Sequence, residues 1–272
     1  MLGKEKLKEL GEAGIIAGPD ESEEAFVKRL YILKKTAPSQ LLKGYTIHPW
    51  EGDFEKLLGA RPDWIPLTYS NRKLLPWQGA VLWVFDHKIP LIQLRKGFKK
   101  GKFLLYSCEE VLLHETIHAL RASFEEPKYE EILAYAHSKS KWRRFLGPLF
   151  RKPSHALFFI SLIFICLLIQ GSSLLFLDSP FLPYLQFLSL VPCVDLALRG
   201  ATLVKDRRLL KKTLEKISQL FPKQANPFPV ALRLKDSEIQ KFATDSVEQV
   251  LTYIEEQVPR SVRWRQILAQ FG

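Results

Sequence analysis

Apolar positions along this chain fall into long uninterrupted runs and short periodic segments, and each predicts a different kind of element. From Ala156 to Leu177 there are 22 residues without a charge. At about 1.5 Å per residue a helix of that length spans about 33 Å, enough to cross the hydrocarbon core of a bilayer. A second, weaker run, Phe181 to Leu198, follows across the short loop Asp178-Ser179-Pro180 and contains Pro183, Pro192 and Asp195. The pair predicts a transmembrane hairpin over 155–198; a buried core helix or an interfacial element is the other reading of the second run.

The periodic segments predict a mixed fold. In 1–38, Phe26, Leu30 and Leu33 recur at helical spacing behind Asp20 or Ser22 as N-cap. Ala80–Phe85 and Ile89–Leu94, separated by Asp86-His87-Lys88, read as a β-hairpin, and Phe103–Tyr106 reads as a further strand. Ser107, followed three residues later by Glu110, forms a capping box, with Tyr106 and Val111 as its hydrophobic staple. They open a helix from Cys108 to about Phe124. Pro127 ends that pattern, and a second helix begins near Lys128 or Tyr129 and runs into the basic stretch before the apolar run. After Gly200 the chain reads as helical again, with a Pro-containing linker near 222–229 and an amphipathic run from Asp236 to Gln257.

A net charge of +11 is compatible with nucleic acid or with anionic lipid, and the placement of the cations separates the two. Basic blocks lie at Arg95–Lys102, Lys139–Lys152 and Lys205–Lys212. The last two flank the apolar region and none lies in its short loop, so both ends of the hairpin are expected in the cytoplasm, facing an anionic lipid membrane. No nucleic-acid motif accompanies the charge, which makes a nucleic-acid partner unlikely on this reading. Cys166 and Cys193 fall inside the apolar region and Cys108 stands alone, so no disulfide framework is suggested, and the N-terminus lacks the apolar core of a signal peptide.

One motif carries chemistry: His114-Glu115-Thr116-Ile117-His118. On a helix turning about 100° per residue, His118 lies about 40° from His114 and Glu115 about 100° from it, so all three share one arc. Two imidazoles one turn apart can hold one zinc ion while the glutamate acts as general base toward the metal-bound water. Leu113, Ile117, Leu120 and Phe124 form an apolar stripe beside that arc. A catalytic zinc needs a third protein ligand, and Glu130 and Glu131 on the next helix are candidates, against the bland reading of acids at a helix start.

Here the pattern resembles the zincin (HExxH) metallopeptidases, and their gluzincin branch in particular, over about residues 107–138. In that branch a glutamate on a following helix, often with a small residue three places later, completes the site. The resemblance implies Glu131, with Ala134 three places on, as third ligand, and Glu130 as runner-up. The gap from His118 is short, and Tyr135 replaces the aspartate that often follows the ligand glutamate by four positions. Glu109, Glu110, Glu125 and Glu126 are then the candidates to orient a ligand imidazole. The resemblance also implies an extended polypeptide substrate along the strand Ile89–Leu94, and an oxyanion donor among Tyr135, Tyr129 and His137, each of which also reads as an ordinary packing or surface residue.

The expectation is an α+β fold: a helical N-terminal segment (1–38), a minimal zincin-like catalytic domain (39–150), the membrane hairpin (155–198) and a cytoplasmic helical domain (199–272). The expected function is that of a membrane-anchored metallopeptidase with one zinc ion, hydrolysing membrane-proximal polypeptides through a zinc-bound water activated by Glu115. Its rival is a membrane-associated scaffold or adaptor with a structural or inactive zinc site, against which an intact Glu115 argues. A di-iron site would need a second Glu-x-x-His, which the chain lacks.

Overall fold

The computed structural model describes residues 1–36, 45–175 and 186–272. Two helices come first, α1 (Lys4–Glu12) and α2 (Glu23–Lys35), the second capped by the Ser22 hydroxyl, which accepts from the Ala25 amide. Then come β1 (Ile47–His48), the short α3 (Glu55–Leu58), β2 (Leu67–Tyr69), β3 (Ala80–Phe85) and β4 (Ile89–Leu94). A small hairpin, β5 (Lys102–Phe103) and β6 (Tyr106–Ser107), leads into α4 (Cys108–Leu120), α5 (Pro127–Tyr135) and α6 (Lys141–Leu146). The remaining helices are α7 (Pro153–Leu175), α8 (Leu190–Leu220), α9 (Phe228–Ala231), α10 (Asp236–Thr244), α11 (Val247–Gln257) and α12 (Val262–Phe271). The fold is α+β.

The sheet has the order β1-β2-β4-β3. The predicted hairpin is there, with Ala80 opposite Leu94 and Phe85 opposite Ile89. Its second strand is not the free edge expected for it: β4 lies between β3 and a parallel β2, and all six of its residues are buried. The edge is β3, whose residues are mostly half-buried. A run as apolar as Ile-Pro-Leu-Ile-Gln-Leu belongs at the centre of a sheet, where both faces are covered. Gln93 is tolerated there because its amide donates to the Ser70 and Arg72 carbonyls and its oxygen accepts from the Trp83 indole.

Three local expectations change. Phe103–Tyr106 is not one strand but the two arms of a hairpin turning at Leu104-Leu105. The Ser107 hydroxyl does cap Glu110, yet the Glu110 carboxylate turns away to Ser138 and Arg143, so the box is half formed. Helix α4 ends at Leu120, four residues early, where the guanidinium of buried Arg121 reaches the Leu232 and Leu234 carbonyls.

Helices α7 and α8 are long and apolar enough to cross a membrane, and only 6% of each apolar window is buried. Leu157, Ile160 and Phe164 of α7 stand at least 60% exposed, as do Leu198 and Phe187 around the start of α8, so these apolar stretches are not covered by the rest of the described residues. The expected loop 178–180 and the start of the second run lie outside the described residues. The second run does not stop at Leu198: α8 continues unbroken to Leu220, with Pro192 in its first turn, where its missing N–H has no helical partner to lose. The boundary expected at 198/199 therefore falls inside a helix. One core also joins the units expected at 39–150 and 199–272, since Leu67, Ile92, Ile117 and Tyr129 cluster with Leu210, Phe242 and Trp264. Helices α1 and α2 pack on α12 through Leu7, Leu10, Phe26 and Val262.

The C-terminal helices are tied by a buried ion pair. The Glu238 carboxylate accepts from Arg263 at 2.7 and 2.9 Å, from Trp264 Nε1 at 2.8 Å and from the Tyr253 hydroxyl at 2.9 Å. Burial pushes its pKa up, but Arg263 outweighs burial and holds it below the ordinary 4.5. Glu238→Gln leaves the Arg263 charge uncompensated and is expected to cost about 3–5 kcal/mol at neutral pH. Because the folded pKa is depressed, this stabilisation is present above pH 4.5 and lost as pH falls through the folded value. In urea melts the gap between wild type and variant should narrow on acidification below that point; a gap independent of pH would contradict the pairing.

Candidate metal centre

Helix α4 packs against β3, β4 and α5, burying Leu112, Leu113, Thr116, Ile117 and Leu120 and leaving His114, Glu115 and His118 half-buried on the opposite arc. Their spacing needs nothing but the helix. The third partner comes from α5, and its placement is tertiary. Asp236 accepts from the Lys128 and Tyr129 amides at 2.8 and 3.3 Å, capping the N-terminus of α5, while its own amide donates to Glu126 at 2.6 Å. This exchange sets the register at which Glu130 and Glu131 meet α4.

The two glutamates, about 100° apart on their helix, take different sides of His118. Nδ1–H of His118 donates to Glu130 Oε1 at 2.7 Å, which turns Nε2 toward the centre of the site. There it lies 3.2 Å from His114 Nε2 and 3.5 Å from Glu131 Oε1; Glu131 Oε2 lies 3.8 Å from His114 Nε2. Donor atoms of His114, His118 and Glu131 all fall within 4.8 Å of one another, a group that could hold a metal ion. Ligands at about 2.0–2.1 Å from a tetrahedral ion lie about 3.3 Å apart, so the spacing fits zinc with one position left over. In such a centre Glu131 would stand as third donor, with Glu130 as the carboxylate that orients an imidazole. The other candidates for that role are engaged elsewhere: Glu109 with Lys139, Glu110 with Arg143, Glu125 with Lys88 and Glu126 with the Asp236 amide. A backbone hydrogen bond with Ala134 holds the His114 ring.

No protein-family model, curated protein or solved structure matches the chain.

Burial and the neighbouring His118 press the His114 pKa down to about 3, so His114 keeps a free lone pair. At His118 burial works in the same direction, but the hydrogen bond to Glu130 and the Glu131 and Glu115 carboxylates outweigh it and raise its pKa to about 9. A proton on His118 then sits between the imidazoles where a cation would go. Burial lifts Glu115 to about 7, His118 opposing and Glu131 adding to the rise, which poises the carboxylate to take up or release a proton near neutrality.

Beside His114 and Glu115 opens a cleft of about 240 Å³, lined also by Trp77, Ala80, Phe103, Tyr135 and Arg143. Of the three expected oxyanion donors only Tyr135 lines it, its ring 4.4 Å from that of His114. Tyr129 is wholly buried in the core, and its hydroxyl has no hydrogen-bond partner among the described residues. His137 packs edge-on against Phe228 at 4.4 Å, away from the cleft. Arg143 gave no signal in the sequence beyond membership of a basic run, and Glu130 stood there only as an alternative ligand.

In metal-free protein, NMR titration should find the His118 ring changing charge near pH 9, with Glu130→Gln moving the midpoint down; a wild-type midpoint at 6.5 would show that the pairing does not form.

Proposed function

We propose that the chain is a membrane-anchored zinc metallopeptidase. The observation that carries this reading is the convergence of His114, His118 and Glu131 on one point, with Glu115 beside them at the foot of an open cleft. Zinc, when bound, supplies a Lewis acid that acidifies water and polarises a carbonyl. Glu115 takes the proton of the attacking water and passes it to the leaving amine, a task suited to a carboxyl whose pKa lies at about 7. Burial and the Glu131 carboxylate push the Tyr135 pKa up, so its hydroxyl stays protonated and donates to the oxyanion that develops on the carbonyl. The zincin resemblance adds that substrate binds extended, and edge strand β3 suits this because Ala80, at its start, lines the cleft.

For the membrane, the support is the pair of apolar helices left unburied, with basic blocks at Lys139–Lys152 ahead of α7 and at Lys205–Lys212 in the later turns of α8; by the positive-inside rule this favours both termini and the site on the cytoplasmic face. Site and first apolar helix are about 20 residues apart in the chain, which favours polypeptides close to the membrane as substrates.

Elemental analysis and a peptide-cleavage assay on the same preparations test the reading. Wild type should hold one zinc and cleave. Glu115→Gln should keep the metal and lose about 10²–10⁴ in kcat. Glu131→Ala should lose the metal, and Glu130→Gln should weaken zinc binding about 10- to 100-fold. Tyr135→Phe should cost about 10²–10³ in kcat with KM little changed. Wild type without zinc would sink the assignment, and zinc without cleavage would favour the scaffold.

A further inference from the structure

The hairpin of β5 and β6 turns through Leu104 and Leu105. Two-residue turns favour Asn, Asp or Gly, which accept φ > 0 and face water readily. Here Leu104 adopts φ 53°, and the two leucines stand 81% and 86% exposed. In water this tip is poor both as turn chemistry and as hydrophobic burial, since the described residues leave both side chains largely uncovered.

Arg143 fastens the tip to α6. Its Nη1 donates to Glu110 at 2.7 Å, its Nη2 to the Leu105 carbonyl, and its guanidinium lies 4.1 Å from the Tyr106 ring centre. Beside it on α6, Trp142 is 74% exposed, and Phe145 and Leu146 are exposed as well. That helix adjoins the apolar segments: the chain enters α7 at Pro153, Phe145 lies under Arg207 of α8, and Phe150, between α6 and α7, lies under Arg199 of α8. Trp77, 79% exposed, lines the cleft together with Leu104. Lys100, Lys102, Lys141 and Arg144, all exposed, complete the surface.

Exposed leucines, tryptophans and cations beside a membrane helix match the headgroup layer of an anionic bilayer, where indole rings settle and phosphates meet lysine. We infer that the Leu104-Leu105 tip, with Trp77, Trp142 and Leu146, seats in the anionic membrane surface, so that the mouth of the cleft opens onto lipid. This rests on the membrane-anchored reading and deepens it. The site then meets its substrates where a polypeptide leaves the bilayer, and the tip reaches the surface only when the apolar helices are inserted.

The test uses the full chain in vesicles of phosphatidylcholine and phosphatidylserine, with p-benzoyl-phenylalanine placed singly at position 105, at 163 in α7, or at exposed 251 in α11, and lipid adducts read by mass spectrometry after irradiation. We expect adducts at 105 and 163 and none at 251, with the yield at 105, but not at 163, falling when phosphatidylserine is left out. Adducts at 163 without any at 105 overturn the docking surface and leave the anchor standing. Adducts at neither position overturn the anchor itself, and the inference with it. An equal yield at 105 without phosphatidylserine overturns the anionic preference.

Discussion

A nine-residue helix carries both carboxylates of the candidate metal centre, and a helix that short is not stable by itself. What holds it is the exchange between Asp236, which caps the first amides of α5, and Glu126, which accepts from the Asp236 amide. Without that anchor the helix could turn on its axis, and a modest rotation would carry Glu131 away from the imidazoles and break the contact of Glu130 with His118 Nδ1. Both histidines sit on one rigid helix at a fixed spacing; the glutamates come from elsewhere and must be brought to them.

The C-terminal helices are therefore part of the site without lining it. They keep Asp236 in place by a core that holds several charges out of water. Glu238 and Arg263 neutralise each other there, while Arg121 and Arg233 spend their charge on carbonyls at helix ends, Arg233 bonding Leu58, Pro229 and Gly11. Burial pushes the Arg233 pKa below its ordinary value, as expected for a guanidinium held away from water. Such buried groups tolerate few alternative arrangements, since each unpaired partner would be costly, and that rigidity is passed on to α5.

Helix α8 connects this core to the apolar segments. Its buried Asp206 pairs with Arg151, just ahead of α7, at 2.7 Å and faces Lys128 of α5 at 3.6 Å. The segment preceding the first apolar helix, the second apolar helix and the helix bearing Glu131 thus meet at one carboxylate. The orientation of the cleft relative to the apolar helices is set by this contact as well as by the short chain between them.

Much was legible in the chain read alone, because it depends on neighbours in sequence. The hairpin Ala80–Phe85/Ile89–Leu94, the Ser22 and Ser107 caps, the two apolar segments and the shared arc of His114, Glu115 and His118 all follow from local periodicity and capping. The choice of Glu131 over Glu130 as candidate third donor came from spacing together with family resemblance, and the structure brings its carboxylate within 4.8 Å of both imidazoles. Tertiary structure decided the rest: that Glu130 orients His118, that Tyr135 and not Tyr129 or His137 reaches the cleft, that β3 rather than β4 is the edge, and that α8 runs on from its apolar stretch into the core. Each of these turns on how one element packs against another, as where Asp236 meets Glu126 across 110 residues and seats α5, and local periodicity does not encode contacts between elements.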